Sequence, residues 1–385
     1  MVQADSWTCR PPVNASTIAE LTNPTLETTG SPEDWSPRNQ PDGGEFSSPE
    51  PLPQKRGLHV VAMGGGTGLS TLLRGLRRHV TPLQQPGVPA GRIAELTAVV
   101  TVTDDGGSSG RLRRGFKMLP PGDIRNCMVA LSEEEDLMAR LFAYRFRAGG
   151  DLEGHNFGNL FVAALTELTG DFAHAIQLSS KVLATRGRIY PVTTANATLM
   201  ARMEDGSLVR GETNITASQL RIAQLMLDPP HAAPLPETME AIQQADLITM
   251  GPGSLFTSLI TNLLVEGIPQ ALAEARAVRV YICNLMTEAN ESMGLTASQH
   301  IERIYEHARA PIFDYALVNT APFSAQALAR YSEESATPIE ADLERIRALG
   351  VRCIAGEFAC EEGFIRHNSE RLTGALLELG RMGRE

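Results

Sequence analysis

The chain contains no run approaching the ~18 uninterrupted apolar residues that a membrane-crossing helix requires. Its first residues, MVQADSWTCRPPVNAS, have neither the basic stretch nor the apolar stretch of a secretory leader. There is no C-x-x-C pair: Cys9, Cys127, Cys283, Cys353 and Cys360 are odd in number and scattered, which argues against a disulfide scaffold or a zinc site. Positive charge is in deficit, with a net charge of −11 and a pI near 5.3, so broad binding to nucleic acid or anionic membrane is not expected. No internal repeat is present. These absences predict a cytoplasmic protein with reduced thiols, no membrane span and no nucleic-acid partner.

What is present is ordinary globular composition, 385 residues with 42% hydrophobic, enough for a large core. Residues 1–56 differ from the rest. They hold 9 of the 24 prolines, many Ser, Thr, Asp and Glu, and no apolar periodicity, so a disordered tail is expected there. Residues 57–385 exceed what one core usually supports, which predicts a main domain with a smaller α+β lobe around residues 187–235.

Strands are expected at Leu58–Met63, Leu96–Thr103, Ala245–Met250, Val278–Asn284, Tyr315–Asn319 and Val351–Ala355, from short apolar runs. Amphipathic patterns predict helices after the first strand, over Asp123–Leu131 with Asp123 as N-cap, over Glu134–Phe146, Phe157–Leu168 and Phe172–Leu183, over Leu255–Val265 and over Thr296–His307. Thr198–Met203 and Leu208–Glu212 flank Asp205-Gly206 as a hairpin would. The alternation points to a three-layer, doubly wound, mostly parallel α/β sheet.

Gly64-Gly65-Gly66-Thr67-Gly68 lies between the first strand and its helix. Bare amides at a helix N-terminus favour an anion, and glycine lets a phosphate approach with no Cβ in the way. Thr67 or Ser70 would add a hydroxyl donor or a cap. The dinucleotide fingerprint G-x-G-x-x-G is not met, because Leu69 occupies the sixth position; the Walker pattern fails for want of Gly-Lys-Ser/Thr. Gly251, Gly253 and Ser254 form a second such loop after the strand Ala245–Met250.

Asp104 and Asp105 sit at the tip of the second strand beside Gly-Gly-Ser-Ser-Gly, with Ser108 in that run. Paired carboxylates there suit Mg²⁺, or ribose and sugar hydroxyls. Five cations (Arg111, Arg113, Arg114, Lys117, Arg125) stand against the single acid Asp123 between Gly106 and Asn126, a local charge of +4. Arg111 and Arg125 are the expected phosphate partners, and Arg113 and Arg114 a solvated helix face. His155, Asn156 and Asn159 fall together, the amides suited to reading base or sugar edges and His155 to moving a proton. Catalytic candidates are therefore Asp104, Asp105 and His155.

The segments GGGTGLS, DDGGSSGRLR, PPGDIRN, HNFGN, GPGSLFTS and NLMTEANES, in this order, resemble the gluconeogenesis-factor (YvcK-type) branch of the 2-phospho-L-lactate transferase-like (CofD-like) family, over about residues 57–375. The resemblance implies a pocket at the carboxyl edge of the sheet, binding of a UDP-sugar such as UDP-N-acetylglucosamine, and a tie to cell shape and wall synthesis on gluconeogenic carbon. Carried over residue by residue, it adds Asn126, Asn284, Thr287 and Glu291 to the site. The branch usually reads Thr-Gln-Pro-Gly-Glu-Thr where this chain has Thr287-Glu-Ala-Asn-Glu-Ser292. The transferase branch moves a phospholactyl group with Mg²⁺, so a Mg²⁺-dependent phosphotransferase is the rival reading. An NAD-dependent oxidoreductase is disfavoured by the failed fingerprint. The leading expectation is a UDP-sugar-binding regulator rather than an enzyme, with cell-wall-synthesis proteins and a second copy of the chain as candidate partners.

Overall fold

Seven short runs, most of them apolar and β-branched, become neighbouring strands of one parallel sheet. In chain order these are β1 (Leu58–Gly64), β2 (Ile93–Val100), β3 (Arg188–Pro191), then β7 (Leu247–Met250), β8 (Val278–Ile282), β9 (Tyr315–Asn319) and β10 (Arg352–Gly356). Between β3 and β7 the chain inserts β4 (Thr198–Met203), β5 (Leu208–Arg210) and β6 (Ile222–Asp228), a separate antiparallel sheet in the order β5-β4-β6. The computed structural model describes residues 57–81, 92–132, 137–148, 150–332, 336–361 and 364–383; the tail expected at 1–56 lies outside the described residues.

The large sheet runs β10-β9-β8-β7-β1-β2-β3, every neighbouring pair parallel. Parallel strands need covered faces, and both are covered here. Val60 and Ala62 join one core with Leu69, Leu72, Leu73 and Leu76 of α1 (Gly66–Leu76), while Val61 and Met63 join the other with Phe256 and Leu259. This alternation is the period of two that a strand imposes. The four leucines of α1 are fully buried, and each contributes about 1.5–3 kcal/mol by leaving water. The doubly wound three-layer expectation therefore holds.

Several boundaries differ from the sequence reading. The segment after Ser254 is a π-helical turn over Leu255–Ile260 followed by Thr261–Leu263, rather than one α-helix to Val265. Arg188–Pro191, inside the range expected for the small lobe, pairs with β2 as the edge of the large sheet. The hairpin around Asp205-Gly206 is present, its turn closed by Ser207 N–H donating to Asp205 Oδ1 at 2.9 Å. Among the described residues no single helix is long and apolar enough to cross a membrane; the apolar pair Leu255–Leu263 and Ile268–Glu274 meets at 80°.

Candidate functional site

The crossover from β1 leads to β2 on one side, while β7 lies on its other side, so the order of the sheet reverses beside β1. Loops leave the carboxyl ends of the two strands in opposite directions at such a point, and a crevice opens between them. Met63 pairs with Met250 and Gly64 with Val100, which brings the tips of β7, β1 and β2 level. Gly66 enters α1 at φ +63°, and a Cβ on Gly68 would lie only 2.3 Å from the Pro252 carbonyl oxygen. The two glycine loops interlock at a distance only glycine permits. Asn284, past the end of β8, ties in the third loop: Gly253 N–H donates to its Oδ1 at 3.1 Å and its Nδ2 donates to the Gly253 carbonyl at 2.8 Å. The result is a cleft of about 870 Å³ floored by backbone amides.

Charge in the cleft is separated. Ser70 and Thr71 bond back to the Thr67 carbonyl, and Arg74 follows one turn further along the same helix face. Arg74 faces Arg366; burial and the neighbouring guanidinium push it below the usual arginine range. Two guanidinium groups that line one cleft and repel each other favour an anion between them. Half-buried carboxyls stand elsewhere on the wall. Asp123, on α3 (Gly122–Leu131), is pushed up to about 6 by burial and by Asp104, although the backbone of Gly66 hydrogen-bonds to it. Glu212, half-buried and beside Asp104 and Asp123, is held well above the usual carboxylate range. Glu288 is raised by burial, opposed by a hydrogen bond from the Ser254 hydroxyl. His367 is pushed down to about 4 by burial and donates Nε2–H to the Cys283 carbonyl at 3.0 Å, so it is a neutral ring.

Of the residues expected from the sequence, Gly65, Gly66, Thr67, Gly68, Asn126, Gly253, Ser254, Asn284 and Thr287 line this cleft. Gly64 and Gly251 lie beneath it, the Gly64 carbonyl accepting from Thr101 N–H and the Gly251 N–H donating to Met63. A second group gathers behind α2 (Gly107–Phe116). There the Ser108 hydroxyl lies 3.1 Å from His155 Nδ1 and accepts from Asn159 Nδ2 at 3.2 Å, while Arg125 Nε donates to Asn159 Oδ1 at 3.3 Å. Asn156 caps α4 (Phe157–Thr169), and Arg111, exposed, donates to the Glu153 carbonyl at 2.7 Å. Asp104 and Asp105 turn to different partners. Asp104 accepts from Gly106 N–H at 2.9 Å; Asp105 accepts from Thr213 N–H at 2.9 Å and from its hydroxyl at 2.6 Å. Among the described residues, no three His, Cys, Asp or Glu side chains converge as metal ligands.

Residues 60–359 match the family described as 2-phospho-L-lactate transferase CofD. This chain belongs to that family. The gluconeogenesis factor of Halalkalibacterium halodurans is 45% identical over 321 residues, 83% of this chain and 96% of its own length. That of Bacillus subtilis is 43% identical over 321 residues, 83% of this chain and 97% of its own length. A crystal structure of a Bacillus halodurans protein superposes with a TM-score of 0.79 at 44% identity, covering 84% of this chain and all of that one.

Four side chains in or near this CofD-family cleft were misjudged or missed from sequence. Asp123 is no N-cap: the helix starts at Gly122 with Pro121 as its cap, which leaves Asp123 in the first turn, aimed at the glycine loop. Arg113, expected on a solvated face, donates to the carbonyls of Thr103 and Ala197 and to Asn196 Oδ1, tying α2 to the small lobe. Arg74 had a signal that went unread, since Gly66, Ser70 and Arg74 recur at i, i+4 and i+8 on one helix face. Arg366 had none, being brought to Arg74 across 292 residues of chain by the fold.

Proposed function

We propose that this protein is a cytoplasmic gluconeogenesis factor that binds a UDP-sugar and serves cell shape and wall synthesis during gluconeogenic growth. The observation that carries the reading is the amide-floored cleft at the switch point, flanked by Arg74 and Arg366. A diphosphate is the ligand group that uses both the glycine-loop amides and two guanidinium forks. Leu285, Met286, Tyr331 and Ile365 supply an apolar wall for a base, and the carboxyls of Asp123 and Glu212 hydrogen-bond with sugar hydroxyls. The volume falls within the roughly 300–1,000 Å³ of small-molecule sites. Calorimetry with UDP-N-acetylglucosamine, with NAD as control, tests it: saturable binding of the first alone supports the reading, and binding of NAD alone would replace it with a dinucleotide site.

A second reading, phosphotransfer of the kind carried out by the transferase branch, is favoured by Asp123. A carboxyl held near 6 in a cleft is suited to take up and release a proton at neutral pH. Steady release of UDP or UMP from the UDP-sugar in the presence of Mg²⁺ and cell extract, abolished in Asp123→Asn, would establish turnover. Tight binding without turnover would leave the regulator.

A further inference from the structure

Behind the cleft, between the small antiparallel sheet and the loop 287–295, lies a second pocket of about 190 Å³ that shares one wall with it. The shared wall is the pair Thr257–Glu291. Thr257 lines the large cleft, Glu291 lines the small pocket, and the Thr257 hydroxyl donates to Glu291 Oε1 at 3.0 Å. Glu291 is 6% exposed, and no Lys, Arg or His bonds its carboxylate among the described residues. The exposed Glu204 also lines the pocket, as does the opposite charge: Arg221, exposed, and Arg303, half-buried and paired with Glu306 at 2.9 Å. Leu220 and Met293, exposed at 43% and 42%, also line it, and Ile222 and Phe256 add buried apolar surface.

A buried acid without a cation, guanidinium groups on the same small cavity and an apolar lining between them describe a receptor for a short molecule carrying both charges. We infer that this pocket binds a free amino acid, its ammonium directed to Glu291, its carboxylate to Arg221 and Arg303, and its side chain against Phe256 and Ile222. The ammonium supplies the cation that Glu291 lacks, and burying a carboxylate without a counter-charge is otherwise costly. The size agrees, since about 190 Å³ holds roughly six to ten non-hydrogen atoms at the ~20–30 Å³ that small polar groups and waters occupy, the size of a small amino acid. Because Glu291 also holds Thr257 in the π-turn, an occupant would shift Thr257, which lines the large cleft. The two sites are then coupled, with an effect of about fivefold or more on affinity at the cleft. Only this coupling rests on the function proposed above; the pocket itself does not.

The test is a thermal-shift screen of the full chain against each standard amino acid, with succinate and inorganic phosphate as probes of simple anion binding, followed by calorimetry. The inference expects saturable stabilisation by at least one amino acid. Arg221→Ala, an exposed change, should weaken it roughly tenfold, the loss of one charge-assisted contact, while leaving UDP-N-acetylglucosamine titrations of the large cleft unchanged in the absence of amino acid. Glu291→Gln should weaken amino-acid binding at least as much and abolish any coupling. Stabilisation by succinate or phosphate without any amino acid would overturn it, as would an amino-acid response that survives both substitutions.

Discussion

At the scale of single residues, the acids of the cleft set how stability varies with pH. Asp123 has a folded value of about 6 against an ordinary 3.8. The folded chain therefore holds its proton more tightly, so the contribution is fully present below pH 3.8 and is lost as pH rises through about 6. Glu291, pushed up to about 7 by burial and Glu288, extends that window upward. Asp123→Asn keeps an acceptor for the Gly66 amide and removes the charge. It should unfold at higher urea than the parent at pH 8, by about 1–2 kcal/mol after discounting for water in the cleft, and match it at pH 4. Equal stability gaps at both pH values would show that Asp123 is ionised at no cost. Glycines divide just as sharply. Gly68→Val drives a side chain into the Pro252 carbonyl and should cost about 1–3 kcal/mol or more together with ligand binding. Gly374→Ala, inside the helix Ser369–Met382 with no atom within 4 Å of the added Cβ, should stabilise by about 0.5–1 kcal/mol, read as a rise in melting temperature. The glycine loop was legible because a run of glycines at a strand tip has few other uses. Arg366 was not, because the property that matters there is proximity, and only the fold creates it.

At the scale of elements, β1, β2, β7, β8 and β9 were legible because they are largely buried on both faces, where apolar residues dominate, and the hairpin of β4 and β5 was legible from its Asp-Gly turn. β3 and β6 escaped: β3 has four residues, and β6 reads buried, half-buried, exposed along Ile222–Asp228, a pattern too short to separate from a loop. The π-turn over Leu255–Ile260 was hidden for the opposite reason. All six of its residues are buried, so no face contrasts with another and no period can be read. Asp105 shows what such connections do. Its carboxylate receives both donors of Thr213 in the short helix Glu212–Ala217, whose first residue carries a cleft carboxyl. Asp105→Ala should therefore cost about 1–2 kcal/mol, as the loss of a capping acid does. Amide exchange in residues 212–217 should rise more than in the large sheet. Uniform loosening of the whole chain would contradict that local role.

At the scale of the whole molecule, strand order decides where function can reside. A sheet that reverses beside β1 leaves one crevice at its carboxyl edge, and loops from β1, β7 and β8 converge on it. Their convergence turns scattered motifs into one cleft, whereas Ser108, His155 and Asn159 converge on each other behind α2. The most direct measurement is a calorimetric titration of UDP-N-acetylglucosamine into the parent chain and into Gly68→Val, with circular dichroism to verify that both are folded. A saturable exothermic isotherm in the parent that vanishes in folded Gly68→Val is the predicted result. No heat in the parent, or an affinity unchanged by the substitution, would contradict a diphosphate held by the interlocked glycine loops.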